Sequence, residues 1–136
     1  MENLPLLECI MLVDDDDSTN FLNKIILKKV VPQVHVQAEQ TVQHALDYLK
    51  NAENKPLPGI IFLDINMPGL SGWDFMEEYE KLPAEKKAQM VIVMLSTSLN
   101  PDDREKAKSF NEIHDFFNKP LTEDMIRDLL KHFRLS

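Results

Sequence analysis

The amino-acid sequence predicts an α/β fold in which five parallel strands form one open, doubly wound sheet and five helices cover both of its faces. Short apolar runs that stop at a polar residue alternate with segments in which apolar residues recur at helical spacing. Strands and helices that alternate in this way build a parallel sheet through right-handed crossovers. The alternation repeats five times in 136 residues, which is too few units for an eight-stranded barrel.

The first unit of the alternation is a buried strand followed by a helix. Residues 8–13 form a continuous apolar run that stops at Asp14, a pattern typical of a strand covered on both faces. The helix extends over about residues 18–30, and Pro32 ends it because proline cannot continue a helix. Its apolar residues recur at helical spacing: Phe21, Leu22, Ile25, Ile26 and Val30.

The second and third units repeat this pattern. An alternating strand at residues 34–38 precedes a helix at residues 41–51 with one apolar stripe. The third strand is the apolar run at residues 60–63, which stops at Asp64. After a turn at Pro68–Gly69, the third helix is marked by four apolar residues: Phe75, Met76, Tyr79 and Leu82.

The fourth and fifth units complete the predicted sheet. The fourth strand covers residues 90–95, and three hydroxyl residues stop it: Ser96, Thr97 and Ser98. Asn100 is a suitable N-cap for the fourth helix, with Pro101 in its first turn. Residues 114–118 predict a short fifth strand. The final helix carries an apolar stripe: Met125, Ile126, Leu129, Leu130 and Phe133.

Composition and charge narrow the classes of function. Hydrophobic residues make up 43% of the chain and charged residues 28%, proportions typical of one soluble globular domain. Acidic residues outnumber basic ones by 23 to 15, which disfavours nucleic-acid binding because affinity for phosphate backbones comes largely from Lys and Arg. The first residues contain no basic region and no apolar run near the roughly 18 residues of a membrane span. We therefore expect a cytoplasmic protein that binds neither nucleic acid nor membrane.

The polar residues that end the strands carry the predicted chemistry, because ligands of a doubly wound sheet bind beyond the carboxyl ends of its strands. Three groups of residues are expected there: Asp14, Asp15 and Asp64; Ser96 and Thr97; and Lys119. Carboxylates this close repel one another, and Mg²⁺ is a hard cation that suits such oxygen ligands. A lysine and a hydroxyl are what the oxygens of a phosphoryl group need. Asp64 is the candidate nucleophile, since no Cys or His ends a strand.

The strand-end motifs resemble those of the receiver domains of two-component response regulators. Asp14 and Asp15 stand in IMLVDDD, Asp64 in FLDINMPGLSG, Ser96 in VMLSTS and Lys119 in FFNKPLT. The acceptor stretch also carries its Met-Pro pair and its glycine at the expected offsets. The motifs together are far more specific than any one of them alone.

The resemblance implies the architecture and function of the whole chain. We expect a flavodoxin-like sheet with strand order 2-1-3-4-5, a short leader at residues 1–7, a receiver domain at residues 8–133, and no output domain. The receiver would accept a phosphoryl group from a histidine kinase or a phosphotransfer protein, with Mg²⁺ as cofactor. It would be no enzyme beyond catalysing its own phosphorylation and dephosphorylation. A downstream protein would bind the fourth helix, fifth strand and fifth helix, and the fourth helix, with few apolar anchors, is expected to be mobile.

The resemblance also implies roles for single residues. Asp64 is the expected phosphoacceptor, and Lys119 and the Ser96 hydroxyl are expected to contact its phosphoryl group. The expected ligands of Mg²⁺ are Asp15, Asp64 and the backbone carbonyl of Asn66, with Asp14 acting through water.

Further positions bear on switching and on the lifetime of the phosphoryl group. Ser96 and Phe116 match the switch residues of the family, and burial of the ring must suffice because Phe116 has no hydroxyl. Thr97 stands where the family usually has a small residue, so it is expected to restrict the access of water. The Lys119–Pro120 peptide bond is expected to be cis, as in the family.

Two other classes of protein fit the sequence less well. A phosphatase of the haloacid-dehalogenase type also uses a strand-end aspartate and Mg²⁺. It needs a second aspartate two positions on, where this chain has Asn66, and a cap domain for which the chain has no room. A dinucleotide-binding module needs a G-x-G-x-x-G after a strand, which the sequence does not contain. Continuous turnover of a phosphate ester would favour the phosphatase, and a stoichiometric, transient acyl phosphate would favour the receiver.

Overall fold

The computed structural model describes residues 4–51, 56–87, 91–97 and 100–135. Its strands are β1 (Cys9–Val13), β2 (His35–Glu39), β3 (Ile60–Leu63), β4 (Val91–Ser96) and β5 (Ile113–Asn118). Its α-helices are α1 (Asp17–Val30), α2 (Val42–Lys50), α3 (Gly72–Tyr79), α4 (Pro101–Lys108) and α5 (Glu123–Leu130). Met90, the first residue of the predicted fourth strand, and Ser98, the last of the three hydroxyl residues predicted to stop it, lie outside the described residues. Within the described ranges, no helix is both long and apolar enough to cross a membrane.

The five strands form one parallel sheet in the order β2-β1-β3-β4-β5, so the predicted fold class and strand order are confirmed. The chain leaves β1 toward β2 on one side and returns to β3 on the other side. A crevice forms at such a reversal, beyond the carboxyl ends of the strands. Asp14 and Asp64 directly follow the two strands that flank this reversal.

Each face of the sheet packs against its own apolar core. Met11 and Val13 of β1 join the core on the side of α2 and α3, whereas Ile10 and Leu12 join the core on the side of α1 and α5. All residues of β1 are buried, as expected of a central strand covered on both faces. The strand ends that carry the polar residues are therefore held from both sides.

The third and fifth helices end earlier than their apolar spacing predicts. α3 ends at Tyr79 and α5 at Leu130, yet Leu82 and Phe133 beyond them expose only 8% and 5% of their surface. The N–H of Phe133 still donates to the carbonyl of Leu130 at 3.0 Å. The two apolar residues therefore reach the core from turns, which helical spacing alone does not distinguish from a further helical turn.

The residues before β1 lie against the residues after α5. Of the predicted leader, residues 4–7 are described. Leu6 forms an isolated parallel bridge with Arg134, and the N–H of Arg134 donates to the carbonyl of Pro5 at 3.0 Å. Leu7 is buried, so this segment contributes to the core at the amino edge of the sheet.

Helix α1 presents three large apolar side chains to solvent. They expose half of their surface or more: Phe21 at 63%, Leu22 at 58% and Ile25 at 50%. The helix buries Leu27 and two asparagines instead. The side-chain amide of Asn20 donates to the carbonyl of Asp14 at 2.8 Å, and this bond turns the asparagine side of the helix toward the sheet.

Candidate functional site

Three aspartate side chains converge at the carboxyl edge of the sheet, where β1 and β3 end. Val13 and Leu63 are register partners, so Asp14 and Asp64 leave the sheet at the same level. The N–H of Asp64 donates to the carbonyl of Val13 at 2.9 Å, which keeps the strand ends together. Asp15 completes the cluster, in which one carboxylate oxygen from each aspartate lies within 4.8 Å of the others.

Both carboxylate oxygens of Asp14 accept hydrogen bonds. Oδ1 accepts from the N–H of Asp16 at 2.9 Å, and Oδ2 accepts from the ammonium of Lys119 at 2.7 Å. Asp14 is buried, whereas its neighbour Asp15 is exposed. The two adjacent aspartates therefore face different environments, and Asp14 is the one that is fixed in place by the protein.

Lys119 reaches the cluster from the end of β5. Its Nζ lies 2.7 Å from Asp14 Oδ2 and 3.7 Å from Asp64 Oδ1. Its backbone N–H donates to the carbonyl of Ser96 at 2.8 Å, and the Lys119–Pro120 peptide bond is cis, the isomer that the sequence analysis expects. Burial disfavours the charged ammonium, but the hydrogen bond to Asp14 and the charge of Asp64 outweigh it and raise the pKa of Lys119. The ammonium therefore stays charged beside the carboxylates.

Asp64 exposes only 7% of its surface, and its surroundings disfavour the carboxylate form. The pKa of Asp64 is raised to about 6, first by burial and then by the charge of Asp14. Lys119 and a hydrogen bond from the backbone N–H of Asn66 act in the opposite direction. Asn66 thus contacts Asp64 through its backbone N–H. Lys119 compensates only part of the negative charge of the cluster.

The start of α3 packs directly against the segment that carries Asp64. The N–H of Gly72 donates to the carbonyl of Ile65 at 2.9 Å, and a Cβ at Gly72 would lie 2.5 Å from the carbonyl oxygen of Asp64. A capping box between Ser71 and Asp74 begins the helix at this position. The glycine that the sequence analysis used only as part of a motif is thus required by a close backbone approach.

The expected switch residues lie on β4 and β5, next to the cluster. Ser96 is fully buried at the end of β4 and pairs in register with Asn118. Phe116 exposes 7% of its surface and belongs to the core on the α2 and α3 side. Thr97 follows Ser96 and is exposed. The switching and modulating roles of these residues stay predictions.

Arg104 of α4 contacts the end of β5 in this region, a role that is not evident from the sequence. Its Cζ lies 4.6 Å from the centroid of the Phe116 ring, and its Nη1 donates to the Phe116 carbonyl at 3.2 Å. Nη2 donates to Asn118 Oδ1 at 2.7 Å. α4 has a polar sequence and buries only Ala107 among its described residues, so its charges look alike from the sequence and nothing distinguishes this arginine.

The donor set of the cluster fits a hard divalent cation. Carboxylate oxygens are the ligands that Mg²⁺ prefers, and Mg²⁺ usually takes one or two carboxylates and keeps several waters. Three carboxylates face one ammonium, so a cation would also balance the charge. Asp15 and Asp64 are suited to direct contact, while Asp14, which already accepts two hydrogen bonds, is suited to contact through water.

Comparison with known proteins agrees with this geometry. A family profile described as "Response regulator receiver domain" matches residues 10–131. Response regulator Rcp1 from Synechocystis sp. is 29% identical over 107 residues, which make up 69% of this chain and 65% of Rcp1. The chain therefore spans slightly less than two thirds of the length of this relative.

Solved structures share the whole fold. A two-component response regulator from Cytophaga hutchinsonii is 31% identical with a TM-score of 0.82, and the match covers 92% of this chain and 95% of the other. A response regulator receiver protein from Dyadobacter fermentans is 28% identical with a TM-score of 0.83, covering 95% and 99%. Chemotaxis response regulator CheY4 of Vibrio cholerae, at 19% identity and a TM-score of 0.73, covers 92% and 97% and shares the fold. The strand order, the strand-end residues and the family match together show that this chain belongs to the response regulator receiver domains of two-component signalling.

Proposed function

We propose that Asp64 accepts a phosphoryl group from the phosphohistidine of a histidine kinase or a phosphotransfer protein, with Mg²⁺ bound at the carboxylate cluster. One observation carries this proposal: one carboxylate oxygen from each of the three aspartates lies within 4.8 Å of the others, and the charged Nζ of Lys119 lies 3.7 Å from Asp64 Oδ1. Membership of the receiver family supports the same donors, since receivers interact with kinases or phosphotransfer proteins.

In the proposed transfer, a carboxylate oxygen of Asp64 forms a bond to phosphorus as the bond from phosphorus to the donor's imidazole nitrogen breaks. The nitrogen keeps the electron pair of the broken bond, and the product on Asp64 is an acyl phosphate. Lys119 Nζ is close enough to pair with one phosphoryl oxygen, and the Ser96 hydroxyl at the end of β4 is suited to donate to another. The protein is proposed to accelerate the transfer by positioning the Asp64 carboxylate against phosphorus and by neutralising the charge of the phosphoryl oxygens.

The bound Mg²⁺ would supply charge neutralisation at a phosphoryl oxygen. Its proposed ligands are Asp15, Asp64 and the backbone carbonyl of Asn66, with Asp14 acting through water. The raised pKa of Asp64 supports this assignment, because an adjacent cation would favour its charged, nucleophilic form.

The donor is proposed to approach along α1. This helix carries an exposed apolar patch that consists of Phe21, Leu22 and Ile25. Exposed apolar patches are typical of protein–protein interaction sites. A groove of about 330 Å³ runs from Leu22 and Ile25 to Lys119 and Pro120. The groove shares Lys119 with the carboxylate cluster, so a protein seated on α1 would have its phosphohistidine beside Asp64.

The downstream protein is proposed to bind on the other side of the cluster, at α4, β5 and α5. A groove of about 400 Å³ lies between α4 and β5 and is lined by Arg104, His114 and Phe116 among others. Phe116, at the inner wall of this groove, is also the proposed switch aromatic. A change at Ser96 and Phe116 on phosphorylation would therefore alter the surface that the partner contacts.

Labelling with a small phosphodonor tests the proposed acceptor. The protein is incubated with acetyl phosphate and Mg²⁺, with and without a chelator, beside two variants. Asp64→Asn should abolish labelling, and the chelator should reduce it strongly. Asp17→Asn is the matched control, since this exposed aspartate lies in the same acidic run but outside the carboxylate cluster. Equal labelling of wild type and Asp64→Asn would refute the assignment of the acceptor.

A second assay, the turnover of a phosphate ester, separates a receiver from a phosphatase. A receiver is expected to take up at most one phosphoryl group per chain and to lose it by hydrolysis of its own acyl phosphate. Steady release of phosphate from an ester such as p-nitrophenyl phosphate, at many turnovers per chain, would instead identify the protein as a phosphatase.

A further inference from the structure

The guanidinium of Arg104 makes three contacts with the last residues of β5. It lies over the Phe116 ring, donates to the Phe116 carbonyl, and donates to the Asn118 side chain. A planar guanidinium can stack on a ring and donate in two directions at once, which the ammonium of a lysine cannot do with the same geometry. These contacts make Arg104 a clamp between α4 and β5.

The clamp binds a backbone carbonyl at the open edge of the sheet. β5 is an edge strand, because the strand order places it last beside β4. Backbone groups on the outer side of an edge strand have no neighbouring strand to bond with. Arg104 supplies a donor to the Phe116 carbonyl, which is one such group on β5. The end of β5 is therefore held on one side by β4 and on the other by this side chain.

The clamped residues lead directly into the carboxylate cluster. Asn118 pairs in register with Ser96, and the next residue is Lys119. The N–H of Lys119 donates to the Ser96 carbonyl at 2.8 Å, and its Nζ donates to Asp14 at 2.7 Å. A shift of Asn118 would therefore move the backbone from which the lysine side chain extends.

We propose that Arg104 is a positioning residue for phosphoryl transfer: by clamping Phe116 and Asn118, it holds the end of β5 in the place from which Lys119 reaches Asp64. The inference rests on the proposed function of Asp64 and Lys119. It assigns to α4 an effect on the rate of the reaction, although no residue of α4 belongs to the carboxylate cluster. Arg104 does not touch the reacting atoms.

The test compares rate constants for Asp64 labelling by acetyl phosphate at saturating Mg²⁺. Arg104→Ala should lower the limiting rate by about three- to tenfold, the effect of losing one or two net hydrogen bonds, and should leave the donor concentration at half-maximal rate nearly unchanged. Arg104→Lys should fail to restore the rate, because it keeps the charge but not the two-direction geometry. Arg127→Ala is the matched control, since Arg127 pairs on the surface of α5 with Glu123, and its rate should equal that of wild type.

A double-mutant cycle separates positioning from general destabilisation. Asn118→Ala should lower the rate. Arg104→Ala should then lower it by a smaller factor in the Asn118→Ala background than in wild type, because the two residues share one contact. The contacts of Arg104 with Phe116 are lost only when the arginine is removed. The signal of the Lys119 ammonium in a nitrogen-labelled sample should shift in Arg104→Ala and stay in place in Arg127→Ala.

The outcomes distinguish this inference from the proposed function. If wild type is labelled and Arg104→Ala matches Arg127→Ala in rate, the inference is wrong and the acceptor assignment stands. Full additivity of Arg104→Ala and Asn118→Ala in the rate would also overturn it. If wild type is not labelled at all, the proposed function fails and the inference falls with it.

Discussion

At the scale of single residues, the carboxylates of Asp14 and Asp64 differ in their hydrogen bonds and in the charges around them. Asp14 and Asp64 are both buried. Asp14 accepts hydrogen bonds from the N–H of Asp16 and from Lys119, and the pKa of Asp64 is raised to about 6. Burial is the first cause of the raised pKa of Asp64, and the charge of Asp14 is the second. The proposed acceptor is therefore a carboxylate whose charged form an adjacent cation would favour.

Replacing Asp64 by asparagine is expected to stabilise the metal-free protein at neutral pH. The folded pKa of Asp64 is about 6, above its ordinary value of 3.8, so the folded state binds the proton more tightly than the unfolded state. Wild-type stability is thus reduced as the pH rises from about 4 to about 6. Asp64→Asn should raise the free energy of unfolding by about 2 kcal/mol at pH 7.5 and by almost nothing at pH 4.

Urea unfolding in chelator at the two pH values measures this difference, with Asp17→Asn as the control for loss of one negative charge. Added Mg²⁺ should reverse the order of stability at pH 7.5, because the ion binds the folded wild type more tightly than the variant. An equal gain at both pH values would rule out the raised pKa as the cause.

Thr97 tests the expectation about water access. A β-branched side chain directly after Ser96 should hinder in-line attack of water on the acyl phosphate. Thr97→Ala is expected to shorten the lifetime of phosphorylated Asp64 by about two- to fivefold, while Thr97→Val, which keeps the branched shape and removes the hydroxyl, should preserve it. The lifetime is followed by loss of label after the donor is removed. A shortened lifetime in Thr97→Val would point to the hydroxyl instead of the shape.

At the scale of elements, α1 shows what apolar spacing can and cannot predict. The spacing correctly predicts a helix over nearly the right residues, because it reports the period of the backbone. It does not report which side faces the sheet, since Asn20 is drawn inward by its bond to the Asp14 carbonyl. The apolar residues Phe21 and Leu22 are thereby left on the surface.

Two leucines of α1 provide a matched test of this orientation. Leu27 is fully buried and Leu22 is 58% exposed, so the same substitution should have different effects. Leu27→Ala is expected to lower the free energy of unfolding by about 3 kcal/mol through loss of burial and the cavity it leaves. Leu22→Ala should change it by less than about 0.5 kcal/mol. Chemical unfolding of both variants measures the two changes in the free energy of unfolding. Similar decreases for the two variants would show that α1 packs against the sheet with a different face.

At the scale of the whole molecule, the site could be predicted because the topology gathers it. In a parallel sheet all strands end at one edge, so Asp14, Asp64, Ser96 and Lys119 could be placed together from their positions after apolar runs. Contacts that a helix side chain makes with a neighbouring strand leave no such pattern in the sequence. The clamp of Arg104 on β5 depends on how α4 lies against the edge strand, and no periodicity in the sequence encodes that orientation.

The charge of the whole molecule predicts its behaviour toward nucleic acid. The net charge is −8, and basic residues near the end of the chain pair with acids, as Arg127 does with Glu123 and Lys131 does with Asp128. No useful affinity for duplex DNA is therefore expected at about 150 mM salt. Fluorescence anisotropy with a labelled duplex measures this, and binding below about 1 μM would contradict it.

The contact between residues 4–7 and the segment after α5 has a consequence for engineering the molecule. Leu6 and Arg134 meet in a bridge at the amino edge of the sheet, across the sheet from Asp64. A short linker could therefore join the segment at residues 4–7 to the segment after α5, and the chain could be reopened at the exposed turn of Pro32 and Gln33. Such a circular permutant would keep every strand-end residue in place, and a fluorophore attached at the junction would sit far from a docked phosphodonor.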